Sequence, residues 1–159
     1  MIKYEGMVHA LEEVQRLLKS DGRLIDIQPL MEAPLLKVYQ ANSVVFVEPD
    51  PSYDYEEDMR QADAALTKVI QRGMFVIEER SEFDFLTHGS SAQELLTFWG
   101  KASADDNITE EDPAGQRIKE VYDRAEKIRQ TAGQGAEVAL HERARILRLK
   151  PHVTNEETM

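Results

Sequence analysis

The residue that first invites chemistry is Asp26, a carboxylate inside the apolar run Leu24, Ile25 and Ile27, two positions before Gln28. A buried carboxylate must be paired or hydrogen-bonded. In an open α/β sheet, ligands sit beyond the carboxyl ends of the strands. Asp26, Gln28 and Pro29 stand near such an end, so Asp26 and Gln28, with His88, are candidates for the edge of a pocket. The plainer account of Asp26 is a strand-edge carboxylate bonded to backbone or to an arginine. The four histidines, His9, His88, His141 and His152, are widely separated and form no ligand-spaced pair. The acidic stretch DPSYDYEED, from Asp50, has the alternating carboxylates of a calcium loop. It lacks the mid-loop glycine, and Gln61 stands where the closing Glu belongs, so a solvated acidic loop is expected. The stretch GQGAEV, from Gly133, starts like a glycine-rich phosphate loop. A dinucleotide fingerprint needs a strand before it and a helix after it. Here the pattern runs from helix to strand, which reads as a helix stop and a turn. The sequence contains no Gly-x-Ser-x-Gly elbow, no Walker loop and no paired-carboxylate signature.

Composition narrows the classes further. The chain has 159 residues, 42% hydrophobic and 31% charged, enough for one domain with a real core. Its formal net charge of −11 opposes phosphate backbones, so nucleic acid is not expected as a partner. With no cysteine, disulfides, thiolate metal sites and a cysteine nucleophile are excluded. No apolar run approaches the ~20 residues that span a bilayer, and the N-terminus has no signal-peptide core. A cytoplasmic protein without a membrane partner is the expectation.

The elements that must position these residues follow from periodicity. Met7, Leu11, Val14 and Leu18 predict a helix over residues 5–20, with Lys19 in its last turn and Gly22 as a left-handed cap. The run 24–28 is too apolar for a strand with one wet face, and predicts a strand covered on both sides, as in a parallel sheet. Leu35–Gln40 and Val44–Glu48 flank Ala-Asn-Ser and predict a β-hairpin. A second helix over 56–72 ends at Gly73. A long strand or strand pair over 74–88 precedes a short helix whose Ser91 and Glu94 have capping-box spacing. Residues 101–111 are polar and expected to be mobile. Asp112 and Pro113 open a fourth helix that ends by Gly133. A closing strand runs from Ala136 to Pro151. Residues 1–150 form the expected single domain and 151–159 a disordered tail. Interleaved helices and strands give an α/β class.

One segment carries more than periodicity. HALEEVQRLLKSDGRLIDIQP resembles a segment of class I S-adenosylmethionine-dependent methyltransferases. In that family a helix patterned Glu-x-x-Arg, two apolar residues and Lys leads through Pro-Gly-Gly into the fifth of seven strands. Glu13, Arg16, Leu17, Leu18, Lys19, Gly22, Leu24 and Ile27 fit, while Ser20 and Asp21 replace the Pro and first Gly. ADAALTKVIQRGMF is similar to the helix and turn before the sixth strand. FDFLTHGSSAQELLTFW resembles the strand and helix near it. HERARILRLKP is similar to the seventh strand, which runs antiparallel between the fifth and sixth. The resemblance implies a partial, three-layer, Rossmann-like sheet with a hairpin insertion.

The family's cofactor-binding half, with its Gly-x-Gly loop, has no counterpart here, so no cofactor-binding residue carries over and no cofactor is expected for this chain alone. The resemblance therefore implies a methyltransferase-like module, truncated or split, that is not catalytic alone. Its fifth-strand counterpart would lack a neighbour. Arg23, Leu24, Ile25 and Ile27 would then be an exposed apolar edge, to be covered by a second copy in a homodimer or by a partner chain. The alternatives are an active enzyme whose S-adenosylmethionine site another chain completes, and a small-ligand binding domain using the hollow beyond Gln28, near His88.

Overall fold

A computed structural model describes residues 4–102 and 112–152. The elements are α1 (Tyr4–Leu17), β1 (Leu24–Pro29), β2 (Leu35–Gln40), β3 (Ser43–Pro49), α2 (Glu56–Gln71), β4 (Phe75–Gly89), α3 (Ala92–Ala102), α4 (Pro113–Ala132) and β5 (Ala136–Pro151). The class is α/β, and the five strands pair antiparallel. The predicted mobile segment 101–111 falls outside the described residues from 103 onward. The predicted tail does so from 153. Pro151 still belongs to β5, and the His152 amide donates to the Met74 carbonyl at 2.9 Å, so order extends past residue 150.

The chain forms two compact units, and the long strands β4 and β5 contribute a segment to each. Of the described residues, the first unit comprises 4–31, 55–83 and 144–152. In it β1 pairs with the second half of β5, Leu24 opposite Leu149 and Ile27 opposite Ile146. Val8 of α1, Ala65, Leu66 and Val69 of α2, Phe75, Leu147 and Leu149 make its core. Met7, Leu11, Val14, Leu18 and Leu24 pack against them. Each fully buried aliphatic side chain of this kind contributes about 1.5–3 kcal/mol. Leu24, Leu147 and Leu149 share one face, so both helices lie on that face.

Of the described residues, the second unit comprises 32–54, 84–102 and 112–143. Here β2 pairs with β3 and with the first half of β5. Leu36, Val38, Val138 and Leu140 turn one face of these strands toward Ala92, Leu95, Val121, Tyr122 and Ala125 of α3 and α4. The predicted hairpin is present: Ala41 (φ 45°) and Asn42 (φ 67°) form its two-residue turn, the geometry of a type I′ connection.

Three expectations need correction. The strand over 24–28 is not in a parallel sheet and is not covered on both sides. It lies antiparallel to β5, and Ile25 and Ile27 are exposed while Leu24, Asp26 and Gln28 face the helices. Antiparallel sheets tolerate one wet face, which parallel sheets rarely do. For the same reason the Rossmann-like layout that the resemblance implied is not observed, because the strands pair antiparallel. Finally, α1 ends at Leu17 rather than residue 20, and Gly22 is not left-handed. Its requirement is for space, since an added Cβ would lie 3.0 Å from Leu18 Cδ2 and 3.0 Å from the Lys19 carbonyl oxygen. Gly73 (φ 72°) and Gly133 (φ 86°) do close their helices in the left-handed half of backbone space.

Candidate functional site

Asp26 is held by its neighbours. Gln28 Nε2 donates to Asp26 Oδ1 at 2.9 Å, and Arg145 Nη2 lies 3.5 Å from Asp26 Oδ2 and 3.3 Å from Gln28 Oε1. Arg145 Nη1 reaches Asp63 of α2 at 2.7 Å. The register explains the meeting, because Gln28 lies directly opposite Arg145 and Asp26 is its diagonal neighbour on the same face. The Arg145 side chain is 15% exposed and its Nε finds no acceptor among the described residues. This is the arginine partner that the plainer account of Asp26 required. Arg145 itself carried no signal in the sequence beyond its place in the closing strand.

His88 belongs to the other unit, at the end of β4. Its Nδ1 lies 3.4 Å from Glu137 Oε2. With Gly89, Ser90, Ala136 and Glu137 it lines an open hollow of about 480 Å³. At the start of α3 the Ser91 half of the predicted capping box forms, while the Glu94 half shifts one residue back to Ser90. Ser91 Oγ accepts from the Glu94 amide at 3.1 Å, and the Glu94 carboxylate accepts from the Ser90 amide and hydroxyl, each at 2.6 Å. Those two donors hold the Glu94 carboxyl below the usual carboxylate range. The structure thus brings Asp26 and Gln28 together and assigns His88 to a different group of residues.

The edge residues occupy β1, which ends the strand order and, among the described residues, pairs with β5 alone. Ile25 and Ile27 are 49% and 57% exposed. Ile146, opposite Ile27, continues this apolar row on the helix-free face. Arg23 flanks the row: its Nε donates to Glu78 Oε2 at 2.5 Å and its Nη1 to the Asp21 and Gly22 carbonyls at 2.8 and 2.9 Å. Arg148 meets the same Glu78 at 3.3 Å. The Arg23 hydrogen bond, with both guanidinium charges, holds the Glu78 carboxyl below its ordinary value.

A further constellation lies on the helix-free face of the second unit, where sequence reading singled out only His141. Lys37 Nζ of β2 is 2.5 Å from His141 Nδ1 of β5, and His141 Nε2 is 3.1 Å from Asp84 Oδ1 of β4. Arg143 Nε lies 3.7 Å from that carboxylate oxygen and its Nη1 3.4 Å from Glu32. Lys37, His141 and Asp84 are up to 104 positions apart in sequence, so no local motif could have joined them. Among the described residues no group of three His, Cys, Asp or Glu side chains is placed to hold a metal ion. No helix among them is long and apolar enough to cross a membrane. Comparison with protein-family models, curated proteins and solved structures yields no match to this chain.

Proposed function

We propose that this chain is a self-associating interaction module, built like the closing part of a class I S-adenosylmethionine-dependent methyltransferase and not catalytic alone. The observation that carries the reading is the edge of β1 opposite β5, unpaired among the described residues, with the exposed Ile25 and Ile27 beside it. An unpaired strand edge beside bare isoleucines is a template for another strand. The methyltransferase likeness draws support from the pairing of β5 with both β1 and β4, which the resemblance requires of a seventh strand. The wholly antiparallel sheet departs from the rest of that layout.

A second copy fits the edge by symmetry. Two β1 strands related by a two-fold axis normal to the sheet run antiparallel, and facing residues then share a side. The axis must therefore pass midway between a residue and its own symmetry mate. Centred on Asp26 it would oppose two carboxylates, which is unfavourable. Centred on Ile25 it sets Ile25 against its own symmetry mate and gathers Ile25 and Ile27 of both copies into one apolar row.

Sedimentation velocity at micromolar concentration tests this. The unsubstituted chain is expected to run as a dimer, and Ile25→Asp with Ile27→Lys as a folded monomer with an unchanged far-ultraviolet spectrum. A strictly monomeric unsubstituted chain overturns the reading. Calorimetric titration with S-adenosylmethionine separates it from the active-enzyme alternative. Binding weaker than about 100 μM, roughly −5.5 kcal/mol, is expected, and tighter binding favours a working cofactor site.

A further inference from the structure

The Lys37–His141–Asp84 line of the second unit stands apart from the β1 edge. Lysine ammonium only donates. Its 2.5 Å contact with His141 Nδ1 therefore requires a bare lone pair on that nitrogen, so the ring carries its proton on Nε2. Nε2–H is the atom that faces Asp84. All three groups agree on one tautomer, with a carboxylate behind the ring and an amine in front of it. The order is that of a nucleophile, a base and an orienting acid, with an amine in the nucleophile's place. A chain with 30 Asp and Glu residues offers many carboxylates to a surface lysine, yet this one meets an imidazole.

We propose that Lys37 is an activated amine that condenses with small aldehydes, with His141 as the proton acceptor and Asp84 as the residue that positions the ring. The Lys37 ammonium passes a proton to His141 Nδ1, and the imidazolium is stabilised by Asp84. The freed nitrogen lone pair attacks the carbonyl carbon. A C–N bond forms, and the carbonyl π pair moves to oxygen, which takes a proton back from His141. Loss of water from the carbinolamine leaves a protonated imine on Lys37. The net change is one ammonium and one aldehyde giving one iminium and one water, with His141 returned to its starting state. The surroundings favour an aldehyde with a short apolar chain. Leu86, between Asp84 and His88 on β4, is 42% exposed and offers apolar surface on this face. Arg143, which also lies 3.7 Å from Asp84 Oδ1, pairs with Glu32, and His88 and Glu137 meet farther along the same two strands.

The full chain is exposed briefly to dilute propanal with cyanoborohydride, and each lysine's alkylation rate is read by peptide mass spectrometry. Lys37 is expected to react at least about 10-fold faster than the exposed Lys127, the low end of what a positioned base supplies. This ratio needs no substitution, so it tests the proposal even if variants fold poorly. His141→Gln keeps an acceptor for the Lys37 hydrogen bond but cannot take its proton, and should bring Lys37 down to the rate of Lys127. Asp84→Asn should give an intermediate rate. Equal rates at Lys37 and Lys127 in the unsubstituted chain, or an unchanged Lys37 rate in folded His141→Gln, overturn the proposal. Neither result bears on the oligomeric state.

Discussion

The side chain that ties two helices of the second unit together is Glu126. Its carboxylate accepts from Arg129 Nη2 at 2.7 Å, from Gln130 Nε2 at 2.9 Å, and from the Ala92 amide at the start of α3 at 3.0 Å. The Arg129 hydrogen bond, followed by those from Ala92 and Gln130, holds its carboxyl down at about 2 against burial. Because the folded-state value lies below the unfolded one of 4.5, its stabilisation is present above pH 4.5 and is lost as pH falls toward 2. Glu126→Ala, which leaves a helix-start amide without its acceptor, should cost about 1 kcal/mol at neutral pH. Thermal melts of Glu126→Gln against the unsubstituted chain should differ at pH 7 and converge near pH 2. Asp50, a buried carboxylate, accepts from Tyr122 Oη at 3.1 Å and from the Ser52 hydroxyl at 2.8 Å. The acidic loop that looked like a cation site in sequence thus spends its first carboxylate on a turn. Asp26 was readable as a carboxylate in need of a partner, but which partner depended on the register of β1 against β5.

Among the elements, the hairpin between β2 and β3 holds the clearest local misfit. Ala41 sits at φ 45°, where an L side chain with no compensating hydrogen bond is strained, and Asn is the preferred first residue of a type I′ turn. Ala41→Asn should therefore stabilise the chain by about 0.5–1 kcal/mol, a rise in Tm of roughly 1–4 °C. A calorimetric scan reads it directly, and an unchanged or lowered Tm would show that the turn tolerates alanine without strain. Helix positions followed from the 3.6-residue spacing of Met7, Leu11 and Val14 and of Leu66 and Val69. Helix ends were less legible, because glycine serves two purposes. Gly73 and Gly133 are needed for handedness, Gly22 for clearance from Leu18, and composition does not distinguish these. The strand over 24–28 misled for a related reason. Three aliphatic residues read as burial on both faces, yet two of them point away from the helices.

At the scale of the whole molecule, the charge of −11 sets the conditions under which copies can meet. Two copies repel at long range, and added salt screens that repulsion over a Debye length of about 10 Å at 0.1 M. Dimerisation through β1 should tighten as salt is raised from about 10 mM to about 0.15 M, where the Debye length falls from about 30 to about 8 Å, as measured by sedimentation equilibrium. Weakening with salt would point instead to a charge-paired interface, against the apolar row of Ile25 and Ile27.

By itself the sequence determined what short-range physics governs: α/β class, helix and strand locations, the hairpin, and the Ser91 cap of α3. These depend on periodicity and on residues a few positions apart. Only the tertiary structure decided strand direction, which faces the helices leave bare, the arginine that neutralises Asp26, and the meeting of Lys37 with His141 and Asp84. Each of those depends on register between strands distant in the chain, and one residue of slip would turn every side chain to the opposite face.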